Sequence, residues 1–214
     1  HVAAPRDAAT LTEELREAVE ISDAPSVIRY PKASVGGDLP ALERVGSVDV
    51  LRRSGNDVLL VTVGALGELG LEAAQRLEDQ GIGVTVIDPR WLKPLDGALA
   101  EAAAGYRLVV TVEDNGRAGG FGDAVARLLR DAGMDTPVRT FGLPQEVLEH
   151  GKREEILADA GLVPILCIGE TLHQREAGQT QYALEKQLAP VIAAAGIRAF
   201  RDAVIAYEPV WAIG

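Results

Sequence analysis

Glu208 is the residue best placed to do chemistry. It falls at the C-terminal end of an apolar strand pattern, Ala203 to Tyr207, and Pro209 follows at once. The carboxyl ends of parallel strands carry the chemistry of β/α barrels and open α/β sheets, so a carboxylate fixed there by a rigid proline turn suits a general base. Two glycine clusters imitate phosphate cradles. The first, Gly64-Ala65-Leu66-Gly67-Glu68-Leu69-Gly70, follows a strand and opens a helix, with Asp88 about two dozen residues on. That is the layout of a dinucleotide site in which an acid holds the ribose. Leu66 stands where the second glycine belongs and would obstruct a pyrophosphate, so plain strand-to-helix packing is the favoured reading. The second cluster, Asn115 to Gly122, also joins a strand to a helix. Helix N-termini attract anions, but Glu113, Asp114 and Asp123 would repel one here, and a tight turn is expected. His150 and His173 have no thiol or second histidine nearby and read as surface residues. Cys167 lies mid-strand as a buried, inert thiol, and no zinc-ligand spacing occurs, so no metal site is expected.

The elements that must position these residues alternate strand and helix almost throughout, which predicts an α/β fold with a mostly parallel sheet. Pro5 to Ile21 has helical spacing, with Leu11, Leu15 and Val19 on one side and Glu13, Glu14, Arg16 and Glu17 expected on the wet side. A short strand, Ser26 to Tyr30, stops at Pro31, and glycine and proline punctuate 33–47 as a linker. Val48 to Arg53 and Asp57 to Val63 flank Ser54-Gly55-Asn56, which reads as a hairpin turn. The continuously apolar Val58 to Val63 predicts a central strand covered on both faces. A helix over 68–80 should end at Gly81. Further strands are expected at Val84–Ile87, Leu108–Val112 and Val138–Phe141, with helices near 95–104, 122–132 and 152–160. Together these predict a five-stranded unit over 48–162. The rhythm then resumes with a strand at Val163–Ile168, a helix from Tyr182 to Ala195 and a strand at Ala203–Tyr207.

Composition narrows the function classes. Of 214 residues, 32 are acidic and 21 basic, a formal charge of −11 that repels phosphate backbones and anionic lipid, so neither nucleic acid nor membrane is an expected partner. No apolar run approaches the roughly 20 residues of a membrane span. One cysteine excludes an internal disulfide and suits a reducing compartment, and a cytoplasmic protein is expected. The first residue, His1, suggests a processed or truncated chain, and a parallel strand so close to Gly214 suggests a cut one.

Two resemblances cover different stretches. Residues 1–162 resemble the C-terminal part of the 1-deoxy-D-xylulose-5-phosphate synthase family. These are thiamine-diphosphate enzymes of the transketolase group that condense pyruvate with glyceraldehyde 3-phosphate for isoprenoid synthesis. The likeness runs through Ala4-Pro5-Arg6-Asp7, Arg29-Tyr30-Pro31-Lys32, Asp88 to Asp96, Val110 to Asn115 with its glycine cluster, and Gly142-Leu143-Pro144. It implies the tail of a pyrimidine-binding domain in 1–32, a linker in 33–47 and a transketolase C-terminal domain in 48–162. Lys32 would contact the aldehyde's phosphate, although Ala33 replaces the glycine usual after it. The parent enzymes use thiamine diphosphate and magnesium. This chain by itself is expected to bind no cofactor, because the family's diphosphate-binding domain and activating glutamate would precede His1.

Residues 163–214 resemble the middle of triosephosphate isomerase, from its fifth strand to the start of its sixth loop, through Pro164 to Thr171, Arg175-Glu176-Ala177-Gly178 and Ala206 to Gly214. The likeness makes Glu208 the general base and Pro209 to Gly214 the opening of a lid. Ala160-Gly161-Leu162 fits both families, so a recombined or engineered join is expected, and with it a chain lacking most catalytic parts of both parents. Two barrel strands without their neighbours are expected to add to the existing sheet, pack loosely or be disordered. Sugar phosphates are the expected ligands of the parent enzymes, and the transketolase-type domain implies a homodimer. The alternatives are a non-catalytic dimerisation module, a triosephosphate isomerase defined by the C-terminal segment, and a nucleotide-binding domain built on Gly64 to Gly70.

Overall fold

A computed structural model describes residues 1–32, 36–146, 156, 165–195 and 204–207. The chain divides into two compact units, His1–Gln145 and Glu146–Gly214.

The first unit opens with β1 (Val2–Ala3), α1 (Ala8–Glu20) and β2 (Val27–Ile28), and continues through β3 (Glu43–Val45), β4 (Val48–Arg53) and β5 (Val58–Thr62). A single 3-10 turn, Gly64–Leu66, leads into α2 (Gly67–Glu78). Then come β6 (Val84–Asp88), β7 (Trp91–Lys93), α3 (Ala98–Ala103), β8 (Leu108–Gly116), α4 (Phe121–Asp131) and β9 (Val138–Leu143). The main sheet has the order β3-β4-β6-β5-β8-β9. Strands β6, β5, β8 and β9 run parallel, while β4 and β3 continue the sheet antiparallel. The expected mostly parallel α/β sheet is therefore present, and β3 makes it six-stranded.

Strand β5 lies at the centre, as its unbroken apolar run predicts, because both of its faces are covered. Leu59 and Val61 point into a cluster with Val48, Val50, Ile87, Leu99, Phe121, Val125 and Leu129, under α3 and α4. Leu60 points the other way, into a cluster with Leu51, Ala74, Val84 and Val86, under α2. Each such side chain removed from water stabilises the fold by roughly 1.5–3 kcal/mol. Helix α2 ends where Gly81 was expected to end it. Gly81 takes a positive φ of 78°, its N–H donates to the Glu78 carbonyl, and the Ile82 N–H reaches back to Leu77.

The hairpin expected at Ser54-Gly55-Asn56 is not there, since β6 lies between β4 and β5. Gly55 is needed for a different reason: a Cβ at this position would come closer than 3.0 Å to the backbone of Gly83. The actual hairpin joins β3 to β4 at Gly46, with φ 60°, inside the stretch read as linker.

Helix α1 departs furthest from expectation. Its buried residues are Thr10, Glu14 and Ala18. Glu14 is 0% exposed, while Leu15 and Val19 are 49% and 85% exposed. The apolar stripe expected inside faces out, because β1, β2 and β7 form a small separate sheet and the helix turns toward a charged neighbourhood.

The second unit contains β10 (Ile165–Ile168), α5 (Leu172–Glu176), α6 (Thr180–Ala195) and β11 (Val204–Tyr207). Strands β10 and β11 pair parallel, from Ile165 with Val204 to Ile168 with Tyr207, and form a two-stranded sheet of their own. The strand-helix-strand order matches expectation. Thr171 caps α5 reciprocally with Gln174. The helix expected over 152–160 lies outside the described residues except for position 156.

Candidate functional site

The first 32 residues are fastened to the six-stranded sheet by buried charge. After β1 the chain turns through Pro5 and presents the Arg6 guanidinium to two strands at once. Its Nη1 lies 2.7 Å from Asp49 on β4 and 2.8 Å from Asp88 at the end of β6, and its Nε donates to the Leu39 carbonyl at 2.8 Å. Asp7 caps α1 by accepting from the Thr10 N–H at 2.7 Å, and its other oxygen accepts from the Leu39 N–H at 2.9 Å. Arg44 holds Asp49 from the opposite side at 2.5 Å and reaches Glu13 of α1 at 2.6 Å. Arg90, a non-glycine residue at φ 58°, is kept in that conformation by its N–H bond to Asp88, at 2.9 Å. The Arg90 guanidinium and the Trp91 indole then take one oxygen each of Glu17, both at 2.6 Å.

This setting splits the acids. Burial works to raise Asp49, but the bonds from Arg44 and Arg6 outweigh it and hold the carboxyl below its ordinary range. Burial pushes Asp88 up to about 6, against the pull of Arg6 and the Arg90 N–H. Glu14 is pushed up to about 8 by burial and then by the charge of Asp88, and neither of its oxygens has a hydrogen-bond partner. It is a neutral acid at pH 7.

Both glycine clusters are closed by the protein itself. Gly64 (φ 57°) packs under the carbonyls of Ala4 and Pro5, a Cβ on Gly70 would strike Thr62, and Leu66 is buried. Asp88, the candidate ribose acid, is held by Arg6 and Arg90. At the second cluster the Glu113 carboxylate occupies the α4 N-terminus, accepting from the Phe121 and Gly122 N–H groups at 2.9 Å each. A Cβ on Gly120 would come closer than 3.0 Å to that carboxylate. Strand-to-helix packing at the first cluster and a tight turn at the second therefore hold, for a reason the sequence only half disclosed. Glu113, read as repelling an anion, is the anion.

Lys32 is exposed, three residues beyond Arg29. The Arg29 N–H donates to the Ala3 carbonyl at 2.9 Å, and its guanidinium reaches the Asp114 carbonyl at 2.7 Å and carboxylate at 2.5 Å. The N-terminal segment is thus tied to the sheet twice, by Arg6 and by Arg29. Glu208 and His150 lie outside the described residues, and His173 is exposed on α5 as expected. In the second unit, the Tyr207 hydroxyl donates to the buried Glu170 carboxylate at 2.9 Å and 3.0 Å, and Arg175 reaches the same group at 3.2 Å. Lys32 and Glu208 belong to different units.

The cofactor implied by the transketolase resemblance finds no cradle among the described residues. They contain no cluster of three or more His, Cys, Asp or Glu side chains able to hold a magnesium ion, and both glycine turns are filled. No helix among them is long and apolar enough to cross a membrane. The sequence motifs contain Arg6 and Arg29 without marking either as a fastening, and Asp114, expected to repel an anion, instead accepts Arg29. Only the first motif carries a local signal, Arg6 beside Asp7 at the start of α1; Arg29 has no adjacent acid and Asp114 no adjacent base.

A mostly parallel sheet covered by helices on both faces, carrying a charged N-terminal strap, defines an α/β domain of the transketolase C-terminal class. The family model for transketolase, C-terminal domain, matches residues 46–164, and the chain belongs to that family. Among curated relatives, the 1-deoxy-D-xylulose-5-phosphate synthase of Parafrankia sp. (strain EAN1pec) is 56% identical over 168 residues, covering 76% of this chain and 26% of that protein. The synthase of Thermobifida fusca is 57% identical over 166 residues, covering 75% and 26%. The chain spans about a quarter of the length of these relatives. Among solved structures, a split-gene transketolase described as an inactive β4 tetramer superposes with a TM-score of 0.66 at 32% identity, covering 75% of this chain and 53% of that one. Transketolase from Campylobacter jejuni shares the fold, with a TM-score of 0.55 at 19% identity over 75% of this chain and 24% of that one. A second family model, triosephosphate isomerase, matches residues 148–214, overlapping the first over 148–164.

Proposed function

We propose that residues 1–162 serve as the C-terminal part of a 1-deoxy-D-xylulose-5-phosphate synthase, with 1–32 as the tail of its pyrimidine-binding domain, 33–47 as linker and 48–162 as its transketolase C-terminal domain. Lys32 contacts the phosphate of glyceraldehyde 3-phosphate. The observation that carries the reading is the double fastening of a segment ending in exposed Lys32 to a domain whose relatives at 56% identity are such synthases. A lysine there offers a point charge to a phosphate, where arginine would offer a fork. The chemistry on pyruvate belongs to thiamine diphosphate when it is bound by the whole enzyme; these residues bind and orient the acceptor. The 214 residues by themselves are expected not to turn over pyruvate and glyceraldehyde 3-phosphate, since they span about a quarter of the relatives. The compartment we assign is the cytoplasm.

The test joins the 214 residues in frame behind the N-terminal three quarters of the Thermobifida fusca synthase and follows product formation with thiamine diphosphate and magnesium. Activity is expected, and Lys32→Ala should raise KM for glyceraldehyde 3-phosphate about tenfold while leaving KM for pyruvate unchanged. An unchanged aldehyde KM would remove Lys32 from the site.

The C-terminal segment supports a second reading. Parallel β10 and β11 end beside one another with Tyr207 on Glu170, one residue before Glu208, so we propose 163–214 as a triosephosphate isomerase segment with Glu208 as its general base. Isomerisation also needs an electrophile and a phosphate cradle; the 214 residues are expected not to interconvert triose phosphates, and measurable isomerisation abolished by Glu208→Gln would reverse this. We place the join of the two families at 160–162, and sequencing reads spanning the codons for Ala160 to Pro164 test it. Self-association through the transketolase-type domain, the alternative role as a dimerisation module, is read by light scattering.

A further inference from the structure

Lys32 follows β2 on a stretch with little to hold it. It is exposed, Tyr30 is 61% exposed, and β2 itself is two residues long. What fixes its place is Arg29. The Arg29 backbone is pinned to β1 through the Ala3 carbonyl, and its guanidinium clamps both the carbonyl and the carboxylate of Asp114. Asp114 is itself rigidly based. It follows Glu113, whose carboxylate locks the start of α4, and precedes a turn whose Arg117 N–H donates to Leu143 of β9 at 2.8 Å. Pro31 lies between clamp and lysine and restricts the intervening backbone. Three residues of extended chain reach about 10 Å at most, so the clamp confines Lys32 to the neighbourhood of the C-terminal end of β8.

We propose that Arg29 is a positioning residue for Lys32: the Arg29–Asp114 clamp holds the lysine where it meets the phosphate of the acceptor aldehyde. This rests on the assignment of Lys32 to that phosphate. Arg29 touches no substrate and acts through placement alone.

Kinetics of the joined enzyme separate the two ideas. Arg29→Ala should raise KM for glyceraldehyde 3-phosphate about fivefold, with kcat and KM for pyruvate within about twofold, as expected when a charge-assisted bond that orders a partner is lost. Arg29→Lys keeps the charge without the fork and should recover part of that loss. The double variant Arg29→Ala, Lys32→Ala should be no worse than Lys32→Ala alone, and D-glyceraldehyde, which lacks the phosphate, should show no change in KM with either. An Arg29→Ala effect that adds to that of Lys32→Ala, or that appears equally with D-glyceraldehyde, overturns the proposal. If Lys32→Ala has no effect, the phosphate assignment fails; if only Arg29→Ala has none, the positioning role fails. A measurement on the full 214-residue chain is independent of turnover. Arg29→Ala should speed amide exchange at Val27 and at position 29, whose N–H groups donate to the His1 and Ala3 carbonyls, about tenfold with β5 unchanged, and unchanged exchange at those amides overturns the clamp.

Discussion

The sheet core and the N-terminal strap of the first unit are buried to similar depth by opposite means. Around β5 the inside is Leu59, Val61, Ile87, Val109 and Leu129, with no charge to neutralise. Under α1 the inside is Arg6, Asp7, Glu14, Asp49, Asp88 and Arg90, all nearly inaccessible. An apolar core gains from whatever fills it and tolerates changes of similar volume. A buried ion network gains only while complete, because its desolvation cost stays when a partner leaves. The strap is therefore specific in where it sits, and fragile.

Removing one centre from each region tests that contrast most strongly. Arg6→Ala leaves two buried carboxylates without their shared cation and should cost about 3–5 kcal/mol, read by urea unfolding of the 214-residue chain. Leu59→Ala should cost about 2–5 kcal/mol. The regions differ in how they are repaired. Replacing Arg6 by Met together with Asp49→Asn and Asp88→Asn removes the orphaned charge, and should recover much of the Arg6→Ala loss. No polar partner change can rescue Leu59→Ala. Failure of the Arg6 repair to recover any stability would erase the distinction.

Glu14 sharpens the comparison at intermediate size. Its carboxyl sits at about 8 in the fold, against a value near 4.5 in the unfolded chain. Between those values the folded protein keeps a proton that the unfolded chain has released, so stability falls as pH rises across the window and levels off above it. Glu14→Gln has no proton to lose. Its melting temperature relative to the parent should rise from pH 4 to pH 8 by on the order of 10 °C. A constant offset across that range would mean that Glu14 ionises freely. The smallest effect belongs to the surface, where Arg53 and Glu43 pair between half-exposed side chains. Arg53→Ala should change stability by less than about 1 kcal/mol, and the difference should shrink in salt.

How legible these regions were follows from the same physics. The β5 run, the Gly81 stop and the parallel order could be read because apolar periodicity and turn chemistry are local signals. The fold of α1 could not be read that way. Periodicity assumes that leucine and valine point inward, and here Leu15 and Val19 point out while Glu14 points in, among charged groups such as Asp88 and Arg90 up to 76 residues away in sequence. The hairpin moved to Gly46 because the spatial neighbour of β4 is β6, a choice no turn sequence encodes. At the candidate site, Lys32 is proposed from its family pattern alone. Arg29 was quoted in that pattern without a role, since its partner Asp114 lies 85 residues on.

The carboxylate of Glu113 at the start of α4 has one further consequence. A side chain attached by its own backbone to the place it binds acts as a tethered ligand, whose effective concentration at the two N–H groups far exceeds that of any dissolved anion. A free phosphate would have to displace a competitor that cannot diffuse away. The glycine-rich turn that imitates a phosphate cradle before α4 is, in binding terms, a receptor permanently saturated from within.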